Sequence, residues 1–296
     1  MTPRQASRTA EFMAFFRALE SVRPPHERLF VDPYARQFLR PSLRKAVRLA
    51  SVPVLGGFVY WCLDHFLHGA RTSAIARTRF IDEVSRQALH DGIRQIVILG
   101  AGYDCRAYRM PEARSATVFE VDHATTLAAK LVGLDQVIPV MPENVRFVEL
   151  DFDRQSLPRA LADAGFDASL PALFLWEGVT NYLAPDAVDS TLRYLGTRAR
   201  GSRVVFTYVD RGALDGSVSF KGAPDILRGV ARLGEPWTFG LCPSEVPDFL
   251  RMRGLELDRD SAAREYRAQY LGPHSHKAKG YEFYHVAIAH VAEKSI

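Results

Sequence analysis

The stretch Ile96–Met110, IVILGAGYDCRAYRM, decides the fold. Its first four residues, Ile96, Val97, Ile98 and Leu99, form an apolar run that stops at Gly100, Ala101 and Gly102. A short run of this kind reads as a buried parallel strand, and the glycines as a tight turn into a helix whose spacing is marked by Cys105 and Tyr108. One glycine lets the chain turn sharply, and the other lets backbone approach a ligand with no Cβ in the way. The junction is that of a nucleotide-binding βαβ unit.

Downstream, Thr117–His123 (TVFEVDH) is a second apolar run closing on acid. Glu120 and Asp122 each follow one of the glycines by about 20 residues, the spacing at which a carboxylate accepts hydrogen bonds from a ribose diol. A dinucleotide fingerprint asks for glycine or alanine three residues after the second glycine. That position is Cys105, and Tyr103 with Asp104 crowds the turn. A pyrophosphate fits poorly, so S-adenosylmethionine, which needs the carboxylate and the close turn but no anion cradle, is favoured over NAD. Two more strands end in acid: Asn144–Asp153 at Asp151 and Asp153, and Leu170–Leu183 at Glu177. Ligands of open parallel sheets sit beyond the carboxyl ends of the strands. Any one of these acids could equally cap a helix. Together they suit a cationic adenosyl ligand, whose ribose hydroxyls, adenine amine and methionine ammonium are all donors.

The 296 residues, 47% apolar, allow one large α/β domain with additions or two small domains. A net charge of +4 comes from scattered arginines rather than a basic run, which gives no indication of nucleic acid. Cys62, Cys105 and Cys242 are odd in number and lack CxxC spacing, which suits a reducing compartment and argues against a disulfide framework or a zinc site. With no basic-then-apolar pattern at the N-terminus, a cytoplasmic protein without an integral membrane segment is expected. Glu11–Leu19 presents Phe12, Phe15, Phe16 and Leu19 at helical spacing, and Asp32 with Pro33 marks the start of another helix. Leu49–Leu63, flanked by Arg44, Lys45 and Arg48, is the most apolar stretch. It falls short of the about 20 residues a spanning helix needs, and Pro53, Gly56 and Gly57 interrupt it. It reads as a helical hairpin packed on the core, a lid over an apolar substrate, or a membrane-surface contact. The helix expected over Ala74–Leu89 carries Arg77, which could reach over the glycine turn to a ligand carboxylate.

The series GAGYDCRAYR, FEVDH, VELDF and WEGVTNYL, preceded by ARTRFID and followed by GEPWTFGLCPSEVPDFL, resembles the leucine carboxyl methyltransferase family. It looks most like the bacterial branch associated with secondary metabolism, from about Arg28 onward. The resemblance implies an α/β, Rossmann-like class I methyltransferase fold: a seven-stranded, mostly parallel sheet with helices on both faces and its last strand antiparallel. Residues 1–75 would be an N-terminal helical extension or lid, and 76–296 the methyltransferase domain. It implies an enzyme using S-adenosylmethionine. Arg77 then pairs with the methionine carboxylate, and Gly100 lies at the methionine moiety, with Ala101 and Gly102 completing the turn. Asp122 is the ribose ligand, Asp151 and Phe152 meet the adenine, and Glu177 is the acid at the methionine end. Glu120 competes with Asp122 on spacing alone.

Ser202–Asp210 is expected as the fifth strand, with Gly254–Asp260 and Phe283–Val291 as a closing pair. Two long connections remain, Asp210–Pro243 with Phe220, Trp237 and Phe239, and Ser261–Tyr281 with Tyr266, Tyr270, His274 and His276. Loops this long inside a domain are functional or disordered, and these read, with the N-terminal hairpin, as walls of an acceptor pocket. A carboxylate acceptor needs no base. A hydroxyl would be helped by one, for which Tyr182, Tyr208, His274 and His276 are candidates. The two histidines have no partner acid nearby, so they read as loop residues and no metal is expected. The expected activity is O-methylation of a carboxylate or hydroxyl on a small apolar metabolite. Methylation of a protein or peptide C-terminal carboxylate is the alternative, and a non-catalytic S-adenosylmethionine-binding partner protein is the alternative of another class.

Overall fold

In the computed structural model, which describes residues 8–67, 69–152, 154–272 and 281–293, four helices precede the first strand. They are α1 (Arg8–Ser21), α2 (Pro41–Ala50), α3 (Pro53–Phe66) and α4 (Ala70–His90). Strands and helices then alternate: β1 (Gln95–Leu99), α5 (Arg106–Arg109), β2 (Thr117–Asp122), α6 (Ala124–Asp135), β3 (Val145–Glu149), α7 (Leu157–Asp163), β4 (Leu173–Trp176), α8 (Pro185–Gly196) and β5 (Arg203–Val209). The described chain closes with α9 (Arg211–Asp215), α10 (Ala223–Arg232), α11 (Val246–Arg251), β6 (Leu255–Ala262), α12 (Ala263–Leu271) and β7 (Tyr284–Val291).

The seven strands form one sheet in the order β3-β2-β1-β4-β5-β7-β6. The first five pair in parallel, and β7 runs antiparallel to both β5 and β6. Strand order reverses between β1 and β4, and a crevice opens at the carboxyl ends of the strands there. All five residues of β1 are buried because both faces of the strand are covered. Side chains alternate across the pleat, so Ile96 and Ile98 join one apolar core while Val97 and Leu99 join the other. The first core takes Phe15, Phe16 and Leu19 of α1, Val47 of α2, Ile75 and Ile81 of α4, and Tyr266 of α12. The second takes residues of α7, α8 and α11.

This layering alters the expected division of the chain. A boundary at 75/76 falls inside α4, a continuous helix of 21 residues, and the N-terminal helices are themselves one layer of the sandwich. The connection 210–243 is also not structureless. Gly222 turns in the left-handed region (φ 83°), and Pro224 in the first turn of α10 favours its start, since its fixed φ is helical and its missing N–H costs no bond there. Ile226, Val230 and Leu233 repeat at helical spacing, a signal obscured by the Pro224 and Gly229 around it. Likewise β6 extends to Ala262, and α12 occupies much of what was expected as loop.

Two helical glycines are predicted to respond oppositely to alanine. At Gly196, which ends α8, a Cβ would overlap the Arg253 carbonyl, so Gly196→Ala should destabilise by about 1–3 kcal/mol. At Gly229, within α10, a Cβ would meet nothing within 4 Å. Gly229→Ala should therefore stabilise by about 0.5–1 kcal/mol, read as a higher urea midpoint at unchanged slope.

Candidate active site

The turn after β1 is stitched to β2. Gly100 N–H and Ala101 N–H both donate to the Val121 carbonyl, at 2.8 and 3.0 Å. Gly100 sits at φ 67° and a Cβ there would collide with Val179, so both backbone angle and packing require glycine. Gly102 (φ 47°) donates its N–H to Asp122 Oδ2 at 2.6 Å, and His123 N–H donates to Asp122 Oδ1 at 2.6 Å. These bonds fix the carboxylate at the rim of β2. Burial lifts its pKa, and the two N–H donors pull it partly back.

The turn opens onto a cleft of about 780 Å³. Arg77, Gly100, Ala101, Gly102, Asp122, Asp151, Phe152, Glu177 and Tyr182 all line it, brought together from α4 and the ends of β1 to β4. Glu120 does not. It is fully buried against Lys130 Nζ at 2.7 Å and accepts from the Tyr108 hydroxyl at 3.0 Å, so it is removed from the contest for a ribose. Tyr208 is also absent from the cleft, because its hydroxyl donates to Asp260 at 2.5 Å and its ring stacks on His285. His274 and His276 lie outside the described residues.

At one end of the cleft Arg77 Nε donates to Glu177 Oε1 at 2.8 Å, and Arg106 Nη1 meets Glu177 Oε2 at 2.9 Å. Tyr284 of β7 lies under the Arg77 guanidinium at 4.7 Å, a cation–π contact. Burial opposes the charge on Glu177, but Arg106 and Arg77 hold its pKa below the ordinary value. Arg106 continues to Asp82 at 2.8 Å and to Asp104, and Arg109 takes both Asp82 oxygens at 2.7 Å. Despite burial, Arg106 keeps Asp104 ionised, with a pKa of about 2. Asp82 is likewise lowered: burial opposes its charge, and Arg109 with Arg106 outweighs it. The sequence reading missed Asp104 and Arg106 as partners. They stand inside GAGYDCRAYR, but pairing with α4 and β4 is a long-range fact.

Beyond Tyr284 the cleft wall is aromatic. Tyr182 and Trp237 meet edge to face at 6.4 Å, Trp237 meets Tyr284 at 5.9 Å, and Tyr281 stands on the same wall. Asn181 carbonyl accepts from Thr238 N–H at 2.7 Å, which ties the Trp237 loop to the turn bearing Tyr182. Burial first, then Tyr284, pushes the Tyr182 pKa up to about 12, so at neutral pH its hydroxyl keeps its proton. Of the expected wall residues, Trp237 and Tyr281 line the cleft, whereas Phe220, Phe239, Tyr266 and Tyr270 do not. No described residue of α2 or α3 lines it either. The roof comes from α1, through Thr9, Met13 and Arg17, and Thr9 hydrogen-bonds Glu235 across the cleft.

A seven-stranded sheet of this order, with acids and a glycine turn at its switch point, defines a class I methyltransferase. A Thermobifida fusca protein described as a candidate methyltransferase has the same fold, with a TM-score of 0.59 at 19% identity over 93% of this chain and 97% of that one. A DUF574 family protein from Streptomyces avermitilis gives 0.54 at 16% identity, over 93% and 96%. In sequence, the chain is 35% identical over 212 residues to a Streptomyces coelicolor protein described as an S-adenosyl-L-methionine-dependent methyltransferase, 70% of each chain. A Frankia alni protein of the same description is 36% identical over 208 residues, again 70% of each. The family model described as leucine carboxyl methyltransferase matches residues 10–196. The chain belongs to the leucine carboxyl methyltransferase family, and it is an enzyme of methyl transfer.

The buried ion pairs generate a prediction. Asp82→Asn should cost about 3–5 kcal/mol, because two guanidinium groups lose the carboxylate they share. For Asp104, whose folded pKa is depressed, the stabilisation is present above the unfolded value of about 3.9 and is lost as pH falls through about 2. The stability gap between wild type and Asp104→Asn should therefore shrink across that window in urea melts at stepped pH.

Proposed function

We propose that the protein is an S-adenosylmethionine-dependent O-methyltransferase acting on a carboxylate or hydroxyl of a small apolar metabolite. The observation that carries this reading is the two-ended cleft: an ionic and glycine-built end continuous with an aromatic end. The first end fits the donor. Arg77 and Glu177 form a side-by-side cation and anion, the complement of the carboxylate and ammonium of a methionine moiety. Gly100 leaves room where any side chain would close the turn. Asp122, held by two N–H donors, presents its remaining lone pairs to a ribose, and Phe152 and Asp151 offer an apolar face and an acceptor to the adenine.

S-adenosylmethionine supplies a methyl group already activated on a sulfonium. The chain's own residues then have to align the acceptor and exclude water. Tyr182, Trp237, Tyr281, the α10 residues Ile226 and Val230, and Leu233 just after that helix provide an apolar chamber for that purpose. A tyrosine that keeps its proton donates a hydrogen bond and does not act as a base. This favours a carboxylate, which arrives ionised, over a phenol or alcohol that must be deprotonated. The α10 and Trp237 wall also suits a compact acceptor better than a protein chain, since α1 roofs the cleft.

Calorimetric titration with S-adenosylhomocysteine, with NAD as control, tests the donor end. Binding of the former alone is expected, and Asp122→Ala should weaken it by at least about tenfold with the fold retained. An equal affinity in that variant would remove Asp122 from the ribose. Because its pKa is raised, affinity should begin to fall, as pH is lowered, above the ordinary carboxylate value of about 4. A screen of apolar carboxylates and phenols tests the acceptor end. With a carboxylate, Tyr182→Phe and the double replacement His274→Ala, His276→Ala should keep most of kcat. A loss of about 100-fold in either would instead establish a base and a hydroxyl acceptor.

A further inference from the structure

Helix α3 is apolar from Pro53 to Leu63, yet only one side is packed. Its inner side rests on the core through Val59, Tyr60 and Leu63, and the Tyr60 hydroxyl donates to the Leu19 carbonyl of α1 at 2.8 Å. Its outer side carries Val54, Phe58 and Trp61 at positions i, i+4 and i+7, exposed by 86, 64 and 60%, followed by Phe66 at 68%. Phe58, Trp61 and His65 stack in succession along this ridge. Leu49 and Val52 extend it into the α2–α3 turn, both exposed. Single exposed apolar residues mean little, but a continuous aromatic ridge marks a contact surface.

The neighbouring charge identifies the occupant. From residue 33 to residue 63 the sequence holds five cations, Arg36, Arg40, Arg44, Lys45 and Arg48, and no carboxylate. Arg36, Lys45 and Arg48 are exposed and have no carboxylate partner among the described residues. Asp64, where acid resumes, is neutralised by Arg71, which takes both its oxygens at 2.8 and 2.6 Å. A Cβ on Gly56 would lie 2.5 Å from the Ala50 carbonyl, so the end of α2 and the first turn of α3 meet backbone to backbone and the tight turn places the cationic helix next to the aromatic one. No helix among the described residues is long and apolar enough to cross a membrane. A cationic face beside an exposed aromatic and aliphatic ridge is the pattern of a segment lying in the plane of an anionic bilayer. We infer that the α2–α3 hairpin docks the enzyme on anionic lipid surfaces, with Phe58 and Trp61 entering the acyl boundary while Lys45 and Arg48 meet the headgroups.

The full chain is sedimented with vesicles of phosphatidylcholine alone and with about one third phosphatidylglycerol. Partition into the anionic vesicles should exceed that into the neutral ones by at least about tenfold and fall with added salt. The double variant Phe58→Ser, Trp61→Ser should lose about tenfold of the binding, and Lys45→Glu, Arg48→Glu should lose the preference for anionic lipid. Trp61 emission should shift to the blue on vesicles, and Trp61→Phe should still bind while that shift disappears. Unchanged S-adenosylhomocysteine titrations in these surface variants report that the fold is intact, so a loss of lipid binding is separable from a failure of the donor site. If the protein stays in the supernatant with both vesicle types, the inference is overturned. It is equally overturned if light scattering finds a dimer that Phe58→Ser, Trp61→Ser dissociates, since the ridge would then be covered by a second copy.

Discussion

The structure depends on a chain of buried ion pairs that runs from α1 to the sheet. Arg17 pairs with Asp32, Arg109 bridges towards Asp32 and clasps Asp82, and Arg106 joins Asp82 and Asp104 to Glu177, which reaches Arg77. Four arginines face four carboxylates, so the charges balance within the protein. Such a network is costly to desolvate and gains stability only when nearly every donor and acceptor is matched. Its value is positional. Helix α4, the glycine turn and the end of β4 contribute to it from distant parts of the chain, and the turn cannot drift from the acid of β4 without breaking pairs. The same contacts that lock the N-terminal helices onto the sheet therefore set the ionic end of the cleft.

Much of this was legible in the residues themselves. The apolar run into GAG gives the strand and turn because no other local structure satisfies both burial and positive φ at Gly100 and Gly102. The acids at the ends of β2, β3 and β4 could be read because strand ends converge in a parallel sheet. What spacing could not decide was Glu120 against Asp122. Two residues apart on one strand, they differ only in depth, and depth depends on whether Lys130 of α6 arrives to neutralise the inner one. Tyr208 was misjudged for a related reason: its partner Asp260 comes from β6, two strands away across β7. The helices α10 and α12 hid behind glycine, proline and polar residues, which signal loops locally and are overruled by packing.

The two ends of the cleft come from different lengths of chain. The family match runs from residue 10 to residue 196, and it contains Arg77, Gly100, Asp122, Asp151 and Glu177. Ile226, Val230, Trp237, Tyr281 and Tyr284 lie beyond it. The ionic and glycine-built end thus belongs to the part of the molecule that matches the family model, and most of the aromatic wall to the part beyond it. One fold hosts many functions when a common scaffold carries separately built walls.

The position of β7 has a consequence for assembly of the molecule. It is the last strand in the described chain, yet it sits between β5 and β6, and β6 has no other strand neighbour among the described residues. Until Tyr284–Val291 inserts, β5 and β6 both present bare hydrogen-bonding edges, which invite pairing with other chains. Tyr284, its first residue, is also the ring beneath Arg77. Insertion of one strand therefore completes the sheet, pairs the facing edges of β5 and β6 and seats the guanidinium at the cleft in a single event, so a half-folded molecule has neither a finished sheet nor a finished cleft.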